Sequence, residues 1–118
     1  MILIVGCGFL GSYLAECALK KSSEPILATV RDLNNVPALS GVKYIRCDLT
    51  KKDDLLSLKE VCKNEDLKVF YFSACHNIDL VYENPDFAKS VNLDALENFL
   101  NTFPDIKQLF FASTDCVY

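Results

Sequence analysis

At 118 residues, 51% hydrophobic and with only 4 glycines and 4 prolines, the chain predicts one small globular domain and excludes both a disordered chain and a second core. Sixteen acidic residues against twelve basic ones give a net charge of −4. No basic run is longer than Lys20-Lys21 or Lys51-Lys52, so nucleic acid and the membrane surface are excluded as main partners.

The first apolar run, residues 2–5, is too short for a helix and predicts a strand. Residues 1–19 are apolar enough to suggest a secretion signal, but no basic segment precedes them, three glycines interrupt them and Glu16 falls inside them. They read as folded structure of a cytoplasmic protein. A helix is predicted over 10–21 and a second strand over 26–30. Asn34, Asn35, Pro37 and Gly41 break periodicity over 33–41, which reads as a loop or short turn. A strand over 42–46 is followed by a helix over 51–63, opened by Thr50 with Asp53 three residues on, close to a capping box. A strand is predicted over 68–73. Asn84 as N-cap and Pro85 at the first helical position start a helix over 85–103, with Ala88, Val91, Ala95, Leu96, Phe99 and Phe103 along one apolar stripe. The last strand is predicted over 108–113.

Strands that alternate with helices, most of them apolar throughout, imply an α/β fold with a parallel sheet covered on both faces. With the first strand central, the expected form is a Rossmann-type doubly wound sheet of five strands in the order 3-2-1-4-5. Ligands of such sheets bind beyond the carboxyl ends of the strands, and the polar residues gather there.

Gly6-Cys7-Gly8-Phe9-Leu10-Gly11 is a G-x-G-x-x-G string between a strand and a helix. Its glycines suit a tight turn, close backbone approach to a pyrophosphate and close helix packing, while the N–H groups of the helix start face the anion. The alternative is a turn that packs the helix and binds nothing. About twenty residues beyond Gly11, an acidic residue would hold an adenosine ribose and an arginine would favour a 2′-phosphate. Arg31 and Asp32 supply both types; Arg31 comes first, which inclines the choice towards NADP, with NAD open. A solvated Arg-Asp pair in a loop is the alternative.

Six cysteines with no C-x-x-C pair read as reduced thiols. Cys7, Cys47, Cys75 and Cys116 each follow a predicted strand, so four thiols gather at one sheet edge. Small buried packing is the expectation there, with thiol chemistry a weaker option, and no metal site is expected. His76, a lone histidine beyond a strand, reads as a hydrogen-bonded loop residue.

These residues together resemble the extended short-chain dehydrogenases/reductases, the family of NAD-dependent, nucleotide-sugar epimerases and dehydratases, over the whole chain. The family's glycine turn is often G-x-x-G-x-x-G; here Gly6, Gly8 and Gly11 have the spacing of atypical members. The resemblance implies a dinucleotide site in which Phe9 and Leu10 sit in the turn, Asp48 and Leu49 of "CDLT" flank adenine, and Ser73-Ala74-Cys75 flank the nicotinamide ribose. It also implies that Asn92 of the "VN" pair shapes the active-site backbone. In the same comparison Ser113 leads the segment "STDCVY", similar to the S-T-D-E-V-Y of the 4,6-dehydratases. Thr114 then takes the place of the catalytic Ser/Thr that hydrogen-bonds the sugar oxygen, and Asp115 that of the dehydratase acid. Cys116 stands where those enzymes have a glutamate base, and a thiol with an ordinary pKa near 8.5 replaces it poorly. For Thr114 and Asp115 a strand-capping turn is the alternative.

The family's Tyr-x-x-x-Lys pair has no counterpart in these residues. The expectation is therefore the NADP- or NAD-binding part of a longer enzyme, truncated relative to the family, whose substrate is a nucleotide-sugar-like small molecule. The second expectation is a complete, non-catalytic dinucleotide-binding module with a redox-sensing or regulatory role. Either way the apolar fifth strand would leave an open sheet edge, so a homo-oligomer is expected through that edge or through the helix over 85–103.

Overall fold

The computed structural model describes residues 1–36 and 39–113. Strands β1 (Ile2–Val5), β2 (Ile26–Val30), β3 (Val42–Arg46), β4 (Lys68–Tyr71) and β5 (Gln108–Phe111) form one parallel sheet in the order β3-β2-β1-β4-β5, as the alternation of elements predicts. Side chains of successive strand residues point to opposite faces, and the central strands use both. Leu3, Val5, Leu27, Val69 and Tyr71 face a core closed by Leu55, Leu58, Phe99 and Phe103. Ile2, Ile4, Ile26, Ala28 and Val30 face a second core closed by Ala15. Full burial of a Leu, Ile or Phe side chain contributes roughly 1.5–3 kcal/mol, so the two layers stand on the apolar runs of β1 and β2, broken only at Thr29.

Helix α1 (Phe9–Lys21) presents Gly11 and Ala15 to the sheet, and these small residues let it approach closely. Helix α2 (Lys52–Val61) buries Leu55 and Leu58 on the other face. The expected capping box is not formed: Lys51 is the N-cap without a side-chain bond, because the Thr50 N–H and hydroxyl both go to Asp48 Oδ1, at 3.0 and 2.6 Å. A 3-10 turn, Leu33–Asn35, lies inside the expected loop.

The helix predicted over 85–103 is a continuous helical run in three parts: α4 (Pro85–Lys89), a π-helical turn (Ser90–Asp94) and α5 (Ala95–Thr102). Asn84 caps it, accepting from the Phe87 N–H at 3.1 Å. The preceding helix α3 (Ile78–Glu83), capped by Asn77, has no forecast in the sequence. Its six residues are too few to show a helical period.

Strands β4 and β5 end two residues earlier than predicted. Phe72 still donates to Val5 O at 2.8 Å and Ala112 to Tyr71 O at 3.2 Å, so the backbone leaves the ladder gradually. All four residues of β5 are exposed, including Leu109, Phe110 and Phe111; coverage of both faces holds for the central strands and fails at this edge. Among the described residues no helix is long and apolar enough to cross a membrane.

Candidate functional site

A cavity of about 640 Å³ opens at the carboxyl ends of β1, β2, β3 and β4. Its floor is the turn from β1 into α1. The Gly6 N–H donates to the buried Thr29 hydroxyl at 2.9 Å, and the Cys7 N–H to Thr29 O at 2.8 Å, so β2 holds the turn from beneath. Thr29 is the one buried polar residue among the described core residues. A threonine in an otherwise apolar strand was the only sequence signal for it.

The three glycines do three different things. Gly6 has φ +84°, and a Cβ there would fall 2.7 Å from Ser73 N; only glycine permits both the left-handed backbone and the approach of the β4 end. At Gly11 a Cβ would meet Ile4 Cγ2 at 3.1 Å, which is the close packing of α1 on β1. At Gly8, which lines the cavity, a Cβ would meet nothing within 4 Å. Gly8 is also the N-cap of α1 and forms no side-chain cap bond. The first turn of α1 therefore offers backbone N–H groups, with the positive end of the helix dipole, to an open space. This cradle fits an anionic group such as a pyrophosphate.

Phe9, Leu10, Arg31, Asp48, Leu49, Ser73 and Ala74 join the glycines around the same cavity. Asp48 is held in place: its N–H donates to Asp54 Oδ2 at 2.8 Å, and its carboxylate takes the two Thr50 bonds. The Thr50 hydroxyl chiefly holds the Asp48 carboxyl below its ordinary value, with the charges of Lys51 and Arg31 adding. Three expected residues do not line the cavity. Cys75 and Asn92 lie outside its lining, hydrogen-bonded to one another, and Ser113 is exposed beyond β5. Thr114, Asp115 and Cys116 lie outside the described residues. His76, Phe87 and Val91 also line the cavity; the last two come from the helical run that starts at Pro85.

Two of the expected sheet-edge thiols are set back from solvent, while Cys75 is partly exposed. Cys7 and Cys47 are buried; burial raises the Cys7 thiol and pushes Cys47 up to about 11. Among the described residues no group of three His, Cys, Asp or Glu is placed to hold a metal ion.

A family model described as NAD dependent epimerase/dehydratase matches residues 2–118. No curated protein sequence matches the chain. Among solved structures, the UDP-glucose 4-epimerase of Thermus thermophilus, in complex with NAD, superposes with a TM-score of 0.81 at 26% identity, over 97% of this chain and 38% of that one. The UDP-glucose 4-epimerase of Thermotoga maritima with UDP-glucose gives 0.81 at 15% identity, over 96% and 37%. The enzyme WbmF of Bordetella bronchiseptica, in complex with NAD+, gives 0.73 at 21% identity, over 92% and 33%. The chain thus spans little more than a third of the length of the structures it matches.

Proposed function

The chain belongs to the NAD dependent epimerase/dehydratase family, and from that premise we propose that it is the part of a nucleotide-sugar epimerase or dehydratase that binds a nicotinamide dinucleotide, NAD or NADP. The carrying observation is the cradle: Gly8 open to the cavity beneath an uncapped helix start, with Gly6 and Gly11 each blocked by a neighbour. In this reading the N–H groups of Phe9, Leu10 and Gly11 hold the pyrophosphate. Asp48 and Leu49 flank the adenine, and Ser73 and Ala74 flank the nicotinamide ribose, with Cys75 next to them outside the lining and held by Asn92.

The cofactor supplies a hydride acceptor and donor for a sugar carbon. The chain's own contribution is to fix that ring at the end of β4 and to exclude water with Phe87 and Val91. Thr114 orients the sugar hydroxyl and Asp115 serves as the acid. No Tyr-x-x-x-Lys pair occurs among the 118 residues, so binding without turnover is proposed for these residues alone. Five unpaired thiols among the described residues fit a reducing, cytoplasmic compartment. Self-association is proposed at the exposed edge of β5 or along the helical run from Pro85 to Thr102, with no nucleic acid or membrane partner.

The test is equilibrium titration with NAD, NADH, NADP and NADPH, followed by nicotinamide fluorescence and calorimetry. Saturable binding of any of them, lost in Gly8→Val without a fall in melting temperature, is the expected result. No binding of any dinucleotide overturns the proposal.

A further inference from the structure

A second cavity, of about 470 Å³, lies at the opposite end of the sheet, where α2 and α5 end and the chain turns into β4 and β5. Its volume is that of a small-molecule site. The buried Cys62, Leu67 and Phe103 line it, with the half-buried Ile106 and the exposed Leu56, so it can take an apolar body out of water. Its rim carries Glu60, Glu65 and Asp105 against Lys59 and Lys63. Lys63 is taken by Glu60 at 3.6 Å. Glu65 and Asp105 enter no ion pair among the described residues, and Lys59 is the one rim cation that enters none. Two helices also end here, each terminus equivalent to about half a negative charge, and α5 has no basic residue in its last turn to offset it. Glu65 lies close to the floor: burial chiefly raises the free Cys62 thiol, and the charge of Glu65 adds to it, ahead of the opposing Lys43.

We propose that this cavity is a second ligand site, separate from the dinucleotide cavity, for a small amphipathic organic cation, with its ammonium group at Glu65 and Asp105 and its apolar body against Leu56, Leu67 and Phe103. An ammonium brings three donors and no acceptor to carboxylates that have no partner in the fold. A ligand carboxylate in the same place would meet two like charges and the negative ends of two helices, with Lys59 alone to balance them. Exposed ion pairs bind weakly on their own, so a cation without an apolar body gains little here. The apolar floor and the acidic rim therefore select for both properties in one molecule.

The experiment is a titration of the full chain, followed by amide NMR shifts, with three probes: phenethylammonium, hydrocinnamate with the same ring and the opposite charge, and spermidine with the charge and no ring. The expected result is saturable shifts at Cys62, Glu65 and Ile106 with phenethylammonium, binding at least about tenfold weaker with spermidine, and no saturation with hydrocinnamate. Glu65 and Asp105 are both exposed, so the double variant Glu65→Gln, Asp105→Asn should keep its melting temperature and bind phenethylammonium about tenfold more weakly. Added salt should weaken the native chain's binding in the same direction. No saturable shift at these residues, hydrocinnamate or spermidine bound as tightly as phenethylammonium, or native affinity in the double variant overturns the proposal. Each of these outcomes leaves dinucleotide binding at the other end of the sheet untouched, because no probe and no variant reaches the glycine turn.

Discussion

Asn92 grips both backbone groups of Cys75: its Oδ1 accepts the Cys75 N–H at 2.6 Å and its Nδ2 donates to the Cys75 carbonyl at 2.9 Å. The pair acts as a ladder rung supplied by a side chain, at a point where β4 has already ended at Tyr71. A side-chain amide carries an acceptor and a donor side by side on one planar group. Asn92 reaches this segment from the π-helical turn Ser90–Asp94, a widened turn of the kind found often at functional sites. The cavity wall at Ser73 and Ala74 is thus tied to the helical layer rather than to the sheet.

Asn92→Asp should separate the two halves of this grip. The carboxylate still accepts from the Cys75 N–H but cannot donate to the carbonyl, so one bond is lost and replaced by repulsion. A loss of about 1–2 kcal/mol in unfolding free energy is expected, with Asn92→Ala similar, and faster amide hydrogen exchange at Cys75 in Asn92→Ala, which alone removes the acceptor of that N–H. Unchanged exchange at Cys75 would sink the idea that Asn92 fixes the segment.

Gly6→Ala and Gly8→Ala should fail in different ways. The methyl of Gly6→Ala meets Ser73 backbone at 2.7–2.8 Å at a φ of +84°, so at least about 2 kcal/mol of stability should go. In Gly8→Ala the methyl enters open space, and the melting temperature should hold while dinucleotide affinity falls. Thermal melts alongside the titration read both; a destabilised Gly8→Ala with intact binding would contradict the cradle.

The sequence made the sheet order legible because its strong signals were local. Apolar runs of four or five residues set β1 and β2, and Asn84-Pro85 marked the start of the long helical run. The glycine string placed the cavity. What was not legible depends on contacts distant in sequence. Thr50 reads as a helix cap, yet Asp48 claims its hydroxyl. Asp32 reads as one of two charged candidates after β2, and its second role, as cap of a 3-10 turn, lies inside a segment that shows only broken periodicity. Thr29 supports the glycine turn from another strand, and no spacing rule connects it to Gly6.

Tyr71→Phe should stabilise the chain. The ring is 1% exposed and packs against Phe99 at 5.4 Å between centroids, while its hydroxyl is buried without a hydrogen-bond partner among the described residues. Removing an unsatisfied buried hydroxyl and keeping the ring removes a desolvation cost of about 1–3 kcal/mol. Chemical denaturation should show a gain of about 1 kcal/mol. A clear loss would mean that the hydroxyl has a partner.

Alkaline pH should weaken the fold through groups buried in their neutral form. Burial pushes Cys47 and Cys62 up to about 11 from an ordinary 9, and Tyr71 up to about 12 from 10. Each folded value lies above the unfolded one, so the unfolded chain loses these protons first. Their contribution is complete below pH 9 and declines as pH rises through the interval to about 11 for the two thiols, then on to about 12 for the tyrosine. Denaturation midpoints should stay level up to the lower limit and drop beyond it. The same burial orders thiol reactivity. Iodoacetamide at near-neutral pH should modify the partly exposed Cys17 and Cys75 well before Cys7, Cys47 or Cys62, because the thiolate is the attacking form. Labelling of Cys47 as fast as Cys75 would mean that the carboxyl edge of the sheet opens readily, and the flat stability below pH 9 should then disappear with it.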